Sequence, residues 1–403
     1  MVMVRLLINK LTKFAKEENM TYTTFSVPNT IVHGENALEY LSTLKGDKAV
    51  LVTGGSSMKR FGFLDEAKAE LEKAGMEVLI IDGVEPDPSV KTCLEGGRKM
   101  AEFEPQWIIA IGGGSAMDAA KAMWVFYEHP DWDFERLAAF DNPPLKNKAK
   151  MICIPSTSGT ASEITAFSVI TDTEKEIKYP LVHPDFVPEV ALLDMRIPAT
   201  MPAHITAATG MDVMTHAVEA FVSTSADDFT DPYAIRAIEL VFGYLKKAYD
   251  NGDDMEAREK MHIASCIAGM AFTNASLGIV HSMAHKIGGI FHLTHGEANA
   301  IMLPYIIDYN RKTCDKYEEI EKILGIDDIA EEIRKLNASV GLTANIKDGK
   351  NTVIEEKDFL EVLDKMSENA FKDACTLTNP RETSPEDIKK IYHAAYYGEK
   401  VDF

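Results

Sequence analysis

Residues 107–121 read Trp107-Ile-Ile-Ala-Ile-Gly-Gly-Gly-Ser-Ala-Met-Asp-Ala-Ala-Lys121, and they carry the clearest structural signal in this 403-residue chain. The apolar run up to Ile111 is typical of a buried strand, and the residues after the three glycines have the composition of a helix. Glycines let backbone N–H groups approach an anion, and the positive end of the following helix stabilises a phosphate. The stretch therefore predicts a phosphate-binding loop. Because it matches neither Gly-x-Gly-x-x-Gly nor the loop ending in Gly-Lys-Ser/Thr, a simple tight turn is the alternative.

Apolar segments on both sides of this stretch predict a parallel sheet. Residues 49–53, 77–82, 107–111 and 151–154 are rich in β-branched residues and mostly continuous in their apolar character, which is typical of strands covered on both faces. Residues 64–73 and 89–103, which lie between them, have the pattern of amphipathic helices. This alternation predicts an α/β domain in which crossover helices connect parallel strands.

The pattern changes near Asp194. Beyond Pro198 strand signals almost vanish, and segments rich in Ala, Met and Glu, such as residues 231–249 and 255–275, predict helices. Ser384-Pro385 is a good helix start. We therefore predict an α/β domain at residues 1–195 and an all-helical domain at residues 196–403.

Candidate metal ligands are concentrated in the predicted helical domain. Asp212 and His216 are four residues apart, and so are His281 and His285; residues at that spacing project from one face of a helix. His295 would close the shell. One carboxylate with two or three imidazoles suits iron(II), zinc or manganese. A lone histidine is more often structural, but four of the eleven histidines lie between His281 and His295, which favours a metal site.

Charge and cysteine content narrow the classes of function. The chain has 42 basic and 63 acidic residues and a net charge of −21, which argues against binding to nucleic acid or to an anionic membrane. Its five cysteines form no Cys-x-x-Cys pair, so a reducing compartment, the cytoplasm, is expected. Residues 1–10 have too short an apolar run, and no small-residue cleavage site, for a signal peptide.

Taken together, these motifs resemble those of the iron-containing (group III) alcohol dehydrogenases. The resemblance extends from about Phe25 to the C-terminus and is closest to butanol dehydrogenases and to the alcohol dehydrogenase half of bifunctional aldehyde/alcohol dehydrogenases. It is carried by Val27-Pro-Asn-Thr-Ile-Val-His-Gly34, Gly112-Gly-Gly-Ser-Ala-Met-Asp-Ala-Ala-Lys121, Ile154-Pro-Ser-Thr-Ser-Gly-Thr-Ala-Ser-Glu163, Gly210-Met-Asp-Val-Met-Thr-His-Ala-Val-Glu219, His281-Ser-Met-Ala-His285, His295-Gly-Glu-Ala-Asn-Ala300 and Thr378-Asn-Pro-Arg381.

The resemblance implies a metal site and a role for one further histidine. The positions that match the family's ligands are Asp212, His216, His281 and His295, with iron(II) as the usual ion and zinc as an alternative. His285 matches a histidine that lines the family's active site without being a permanent ligand. We expect it to carry the proton path, and orientation of the cofactor is an equally open alternative. The C-terminal domain would then bind the metal and carry catalysis.

The resemblance also makes the N-terminal domain the dinucleotide-binding domain, with the pyrophosphate on the glycine loop. The predicted cofactor-binding residues are Gly54, Ser56, Ser57, Asp87, Gly113, Gly114, Ser115, Asp118, Ser156, Thr157, Thr160 and Lys178. Lys178 matches a lysine near the nicotinamide ribose, and Asp87 matches a position near the adenosine ribose. Alternatively, Thr157 and Thr160 satisfy turn hydrogen bonds, and Lys178 is an ordinary exposed lysine.

One departure from the family affects the choice of cofactor. NAD-preferring members commonly have Val-Thr-Asp after the second strand, whereas this chain has Val-Thr-Gly54. Loss of that carboxylate removes a repulsion against a 2′-phosphate. Ser56 and Ser57 could hydrogen-bond the phosphate, and Lys59 or Arg60 could attract it. We therefore expect NADP(H), with NAD as the alternative if the glycine pair only forms a tight turn.

The sequence thus predicts a metal-dependent enzyme that transfers hydride between NADP(H) and short primary alcohols or aldehydes, mainly as an aldehyde reductase. We expect a homodimer, paired through the first apolar stretches, and neither a nucleic-acid nor a membrane partner. Two alternatives remain open. One is a related NAD-dependent polyol or hydroxyacid dehydrogenase, or a sugar-phosphate lyase-like relative of the same fold; the other is a non-catalytic nucleotide-binding assembly protein.

Overall fold

The computed structural model describes residues 23–175, 177–349 and 353–403, so the expectation for residues 1–10 lies outside the described residues. The described chain forms two compact units, one of Ser26–Met201 and one of Pro202–Phe403 together with residues 23–25. The boundary predicted after residue 195 would follow the last strand directly. The structure divides slightly later, after the 3-10 helix Pro198–Thr200.

The first unit alternates strands with helices. Its strands are β1 (Thr30–Gly34), β2 (Lys48–Gly54), β3 (Glu77–Val84), β4 (Trp107–Gly112), β5 (Lys150–Pro155), β6 (Phe167–Asp172), β7 (Ile177–Val182) and β8 (Val190–Asp194). Its α-helices are α1 (Ser57–Arg60), α2 (Phe63–Lys73), α3 (Val90–Phe103), α4 (Gly114–Glu128) and α5 (Phe134–Ala138). Each of the strands and helices that the sequence predicted in this unit is confirmed to within two residues at either end.

Six of these strands form one parallel sheet in the order β1-β8-β5-β4-β2-β3, which confirms the predicted sheet. The remaining two, β6 and β7, form an antiparallel hairpin that the sequence did not predict. Many of their residues are exposed or half-buried, and Pro180 within β7 is typical of an edge strand. Neither strand therefore has the continuous apolar run that identified the others.

The central strand β4 shows why these strands are apolar throughout. Successive side chains of a strand point to opposite faces of the sheet. Ile108 and Ala110 pack into one hydrophobic core, which contains Trp124 of α4. Ile109 and Ile111 pack into a second core with side chains of α2. Helices cover both faces, so neither set of side chains meets water.

The second unit is helical, as predicted. Its helices are α6 (Ala203–Val222), α7 (Asp231–Asp250), α8 (Met255–Ala275), α9 (Ile279–Phe291), α10 (His295–Asn310), α11 (Lys316–Leu324), α12 (Ile329–Ser339), α13 (Glu356–Phe371) and α14 (Pro385–Tyr397). The described residues of this unit contain no strand. The helix start at Ser384 is confirmed, because its side chain caps α14 and Asp387 accepts a hydrogen bond from the backbone N–H of Ser384.

Within the described ranges, no single helix is long and apolar enough to cross a membrane. The consecutive helices α8 and α9 meet the requirement together on length and composition alone, and they are bent by 107° at the break between them.

All five cysteines are free thiols. Cys93 in α3 and Cys153 in β5 are fully buried in the core that contains Trp124. Burial raises the pKa of Cys153 to about 12, and burial likewise raises the pKa of Cys93. Both thiols therefore stay protonated at neutral pH, so they fill the core and are not available as nucleophiles.

Two helix glycines differ sharply in their surroundings. Gly97 is buried where α3 meets α4, and a Cβ added there would lie 2.6 Å from the Cβ of Phe126 and 3.2 Å from the carbonyl oxygen of Met123. Gly243 is exposed on α7, and an added Cβ would meet no atom within 4 Å. The first glycine permits close helix packing, whereas the second has no steric requirement.

Gly97→Ala is expected to lower the midpoint of thermal unfolding, because overpacking of this kind costs about 1–3 kcal/mol. Gly243→Ala is the matched control, because the same exchange on an open helix face stabilises by about 1 kcal/mol. Circular dichroism during heating measures both midpoints. Equal shifts in the two variants would contradict the packing role of Gly97.

Candidate functional site

The four predicted metal ligands converge in the helical unit. Asp212 and His216 lie on α6, His281 on α9, and His295 is the first residue of α10. One donor atom from each residue lies within 4.8 Å of all the others. The Nε2 atoms of His216, His281 and His295 lie 3.8, 3.7 and 3.3 Å from one oxygen of Asp212. Helix spacing brings Asp212 and His216 to one face, and the packing of three helices completes the cluster.

Burial and stacking hold this cluster in place. The side chains of Asp212, His216 and His281 are almost fully buried, whereas that of His295 is 41% exposed. The ring of His216 stacks between those of Phe272 and His281, at centroid distances of 4.2 and 4.6 Å. The site is therefore closed on the side of His216 and open on the side of His295, and an open side is what a catalytic metal site needs.

The donor set fits a divalent cation. Burial alone would raise the pKa of Asp212, but the charges and hydrogen bonds of the surrounding histidines lower that pKa well below its usual value. Asn299 Nδ2 lies 2.8 Å from Asp212 Oδ1 and 3.2 Å from Nε2 of both His281 and His295. Asp212 Oδ1 and the Nε2 atoms of His281 and His295 therefore face one common point. Converging nitrogen and oxygen donors suit iron(II) and zinc.

A carboxylate behind the ligands fixes one of them. His281 Nδ1 lies 2.5 Å from Glu219 Oε2, and the backbone N–H of Val280 donates to Glu219 Oε1 at 2.7 Å. Burial alone would lower the pKa of His281, but Glu219 and Asp212 together raise it to about 9. Without an ion, Nε2 therefore also carries a proton at neutral pH. A bound ion would displace that proton and take the Nε2 lone pair, while Nδ1–H stays donated to Glu219.

The sequence interpretation missed Glu219 and Asn299 as members of this site. Both carry a local signal. Glu219 lies three residues after His216, and Asn299 lies four residues after His295, so each shares a helix face with a ligand.

His285 lies at the open side of the site. Its ring is nearly parallel to that of His295, with a centroid distance of 5.5 Å. Its Nδ1 lies 3.1 Å from Asp373 Oδ2, and Lys286 Nζ lies 2.7 Å from the same oxygen. Burial lowers the pKa of His285, although Asp373 opposes this shift. No sequence spacing connects Asp373 with α9, and the sequence interpretation missed it.

The glycine loop in the α/β unit has the predicted form. β4 ends at Gly112, and the helix α4 begins at Gly114. Gly112 has a φ of 154°, a conformation that favours glycine. A Cβ added to Gly114 would lie 3.2 Å from side-chain atoms of Thr160. The glycine loop therefore lies against the hydroxyl-rich loop that carries Ser156, Thr157 and Thr160, and a side chain at position 114 would crowd this contact.

Strand order independently marks the same edge of the sheet. β2 is followed along the chain by β3 on one side of the sheet, and β4 is followed by β5 on the other side. In such sheets ligands bind outside the carboxyl ends of the strands, where the direction of winding reverses. Gly54 ends β2 and Gly112 ends β4. This position is the expected place for a dinucleotide.

Several predicted cofactor residues surround this edge. Gly113, Gly114 and Ser115 form the start of α4. A Cβ added to Gly113 would lie 3.9 Å from Thr157 Cγ2. The backbone N–H of Ser156 donates to the carbonyl oxygen of Gly112 at 2.8 Å. The two loops thus form one surface rich in N–H and hydroxyl groups.

Asp118 has partners within the protein. Its carboxylate accepts hydrogen bonds from Ser162 Oγ at 2.8 Å and from the backbone N–H of Val169 at 3.0 Å. The buried ammonium of Lys121, one helix turn later, donates to the carbonyl oxygens of Ser162, Thr165 and Phe167 at 2.7–2.9 Å. These two side chains tie the hydroxyl-rich loop to α4. A contact between Asp118 and the cofactor stays a prediction.

Two predicted residues pair with each other. Lys178 Nζ lies 2.7 Å from Asp87 Oδ1, and both side chains are more than half exposed. Both the cofactor-binding and the ordinary surface interpretations of Lys178 fit this exposed pair.

Gly54 has a structural reason to be glycine. A Cβ at this position would lie 2.7 Å from the carbonyl oxygen of Val84 in the neighbouring strand β3. A carboxylate could not be accommodated here without a backbone shift. The absence of an acidic residue at position 54 is therefore required by packing as well as compatible with a 2′-phosphate. Ser56, Lys59 and Arg60 are exposed just beyond it.

Comparison with known proteins gives consistent matches over both units. Residues 28–195 match the family described as iron-containing alcohol dehydrogenase, and residues 206–396 match the Fe-containing alcohol dehydrogenase family, C-terminal. A solved iron-containing alcohol dehydrogenase from Thermococcus thioreducens is similar, with a TM-score of 0.86, 37% identity, and coverage of 93% of this chain and 100% of the other.

Two curated relatives extend the comparison. An NADPH-dependent butanol dehydrogenase of Clostridium saccharobutylicum is 50% identical over 390 residues, covering 94% of this chain and 99% of the relative. An aldehyde-alcohol dehydrogenase of Streptococcus pneumoniae is 40% identical over 420 residues, covering 96% of this chain. The match spans 47% of that longer relative, about half its length.

Glu219→Gln is expected to weaken metal binding by about 10- to 100-fold, because the amide no longer holds the proton of His281 on Nδ1 with a full negative charge. Competition with a coloured chelator under anaerobic conditions measures the affinity for iron(II) and zinc. Glu239→Gln is the matched control, since Glu239 is a surface glutamate that pairs with Arg236. Equal affinities in the two variants would remove Glu219 from the metal site.

Proposed function

The chain belongs to the iron-containing alcohol dehydrogenase family, and we propose that it acts mainly as an NADP(H)-linked reductase of short aldehydes. It is an oxidoreductase that interconverts alcohols and aldehydes. The observation that carries the proposal is the convergence of Asp212 and three histidines at one point. The 50% identity to a relative named for NADPH and butanol supports the finer choice of cofactor and substrate.

We assign the metal to Asp212, His216, His281 and His295, with iron(II) as the resident ion and zinc as the alternative. When bound, the ion supplies a Lewis acid that polarises the carbonyl of the substrate. The protein's own groups orient that ion: Glu219 fixes the ring of His281, and stacking fixes the ring of His216. The open side near His295 is the proposed entry for a small alcohol or aldehyde.

The dinucleotide is assigned to the glycine loop and to the hydroxyl-rich loop beside it. Backbone N–H groups at Gly113 and Gly114 and the hydroxyl of Ser115 bind the pyrophosphate, aided by the positive end of α4. When bound, the nicotinamide ring would supply the hydride that reduces the carbonyl carbon, and the carbonyl oxygen would need a proton. His285 is the proposed donor of that proton, and in alcohol oxidation it accepts the proton.

Preference for NADP(H) rests on groups beyond the end of β2. Because packing already requires glycine at position 54, selectivity depends on the exposed residues that follow. Ser56 and Ser57 provide hydroxyls for a 2′-phosphate, and Lys59 and Arg60 provide positive charge. These four side chains are the proposed phosphate-binding group.

We also propose a homodimer in a reducing cytoplasm. Within the described residues, β1 pairs with β8 alone and forms one edge of the sheet. A strand from a second copy could pair with that edge, as an exposed edge strand allows. The free thiols fit a reducing compartment. Light scattering after size-exclusion chromatography measures the oligomeric state.

The activity is tested with metal-stripped protein that is reconstituted anaerobically with iron(II) or zinc. NADPH oxidation with butyraldehyde is expected to depend on added metal and to be lost in Asp212→Ala. Asp228→Ala, an exposed aspartate of the same unit, is the matched control and is expected to retain activity. A panel that includes 1,3-propanediol and a hydroxyacid separates the related dehydrogenases. Silence across the panel with full metal content would contradict the proposed function.

Ser56→Asp is expected to lower kcat/KM for NADPH at least tenfold and to change kcat/KM for NADH less than threefold, because a carboxylate repels the 2′-phosphate. Thr43→Asp, at an exposed hydroxyl residue before the other end of β2, controls for the same change in charge of one unit. Initial rates with both cofactors measure the ratio. An unchanged NADPH:NADH ratio in Ser56→Asp would exclude this surface from phosphate recognition.

A further inference from the structure

We propose that Asp373 is a positioning residue for His285, which it holds as the ring tautomer with the proton on Nδ1 and the lone pair on Nε2. The inference deepens the proposed function, since it rests on the role of His285 in proton transfer. A carboxylate can only accept a hydrogen bond, so the Nδ1 atom 3.1 Å away must donate. In the neutral ring, Nε2 then accepts the proton of an alcohol. In aldehyde reduction the ring starts as the imidazolium, and the proton leaves from Nε2 while Nδ1–H stays donated to Asp373.

The carboxylate of Asp373 is itself held from several directions. Oδ2 accepts from Lys286 Nζ at 2.7 Å as well as from His285. Oδ1 accepts from the backbone N–H of Cys375 at 3.1 Å, so that Asp373 caps the 3-10 helix Ala374–Thr378. The side chain is 12% exposed. Its position is therefore defined before any ligand binds.

The chain segment that carries Asp373 is also fastened to the start of the helix that carries His285. Thr376 Oγ1 donates to Ser282 Oγ at 2.8 Å, one turn before His285 on α9. Thr378 Oγ1 donates to the carbonyl oxygen of Leu277 at 2.5 Å, just before that helix. These bonds keep Asp373 in register with α9. These two bonds therefore fix the contact between Asp373 and His285, although 88 residues separate them in the chain.

A second metal site is the competing interpretation of the same residues. Ligand atoms of His285, Asp373 and Cys375 lie within 4.8 Å of one another. The ammonium of Lys286, however, occupies the carboxylate oxygen that faces His285 and would repel a cation. Burial, followed by the charge of Asp373, raises the pKa of Cys375 well above its usual value, so the thiol is not available as a thiolate. The geometry favours an oriented histidine over a cation site.

Asp373→Asn tests the assignment, because an amide can donate its own N–H to Nδ1 and so favour the other tautomer. Loss of the carboxylate beside a catalytic histidine acts in this way in serine proteases. We expect kcat for butyraldehyde reduction to fall at least tenfold, with KM for NADPH and iron content within twofold of the unchanged protein. Asp373→Glu, which keeps a carboxylate, is expected to retain more activity than Asp373→Asn.

Asp231→Asn is the matched control. Asp231 accepts from the ammonium of Lys316 at 3.0 Å, as Asp373 accepts from Lys286, and it has no histidine among its partners in the described residues. This variant loses the same charge beside the same kind of cation. We expect kcat to stay within twofold. An equal fall of kcat in both variants would overturn the positioning role.

A double-mutant cycle and a direct observation of the ring complete the test. The double variant His285→Ala/Asp373→Asn is expected to have the kcat of His285→Ala within twofold, whereas independent, multiplicative losses would overturn the proposal. Nitrogen-15 NMR of the zinc-loaded protein, assigned with His285→Ala, is expected to show Nδ1 protonated before and Nε2 protonated after Asp373→Asn. An unchanged tautomer would overturn the proposal.

The kinetics of His285→Ala and the NMR of Asp373→Asn test this inference separately from the proposed function. Full activity in His285→Ala would contradict proton transfer through His285, and the NMR result would still decide whether Asp373 sets the tautomer. Inactivity of the metal-loaded, unsubstituted protein towards every alcohol and aldehyde would instead contradict the proposed function.

Discussion

Donor atoms that converge at Asp212 repel one another unless positive charge lies among them, and the helical unit is organised around that constraint. An oxygen and three nitrogens, each with a lone pair, are brought within 4.8 Å by α6, α9 and α10. Glu219 then orients His281 from behind, and Asn299 Nδ2 lies 2.8–3.2 Å from three of the donor atoms. Because buried surroundings screen charge poorly, the arrangement costs free energy without a cation and is stabilised when a cation binds.

The α/β unit meets the opposite requirement, which is to hold negative charge. Its means are backbone N–H groups, made accessible by glycines at the end of β4 and supported by the dipole of α4. The loop beside them keeps its shape through Lys121, whose ammonium is neutralised by no carboxylate within salt-bridge distance among the described residues and is instead surrounded by carbonyl and hydroxyl oxygens. One unit thus uses side-chain ligands for a cation, and the other uses backbone groups for an anion.

Local spacing explains how much of this could be predicted from the sequence. The strand, glycine loop and helix of residues 107–121 are contiguous, and the pair Asp212 and His216 lies within one helix turn. The clustering of histidines suggested the other ligands, and the family resemblance was needed to choose His281 and His295 and to leave out His285. The contact of Asp373 with His285 depends on hydrogen bonds between a 3-10 helix and α9. No periodicity in the sequence indicates such a contact. The hairpin of β6 and β7 was missed because its exposed strands lack an apolar run.

The buried thiols affect which part of such an enzyme oxygen would damage first. Cys93 and Cys153 are shielded from solvent, and their raised pKa keeps them from forming the thiolate through which oxidants attack. Cys375 is also held as a thiol. Damage by oxygen would consequently reach an iron(II) ion before it reaches these three thiols. Activity lost in air would then be restored by replacing the ion and not by reducing the thiols.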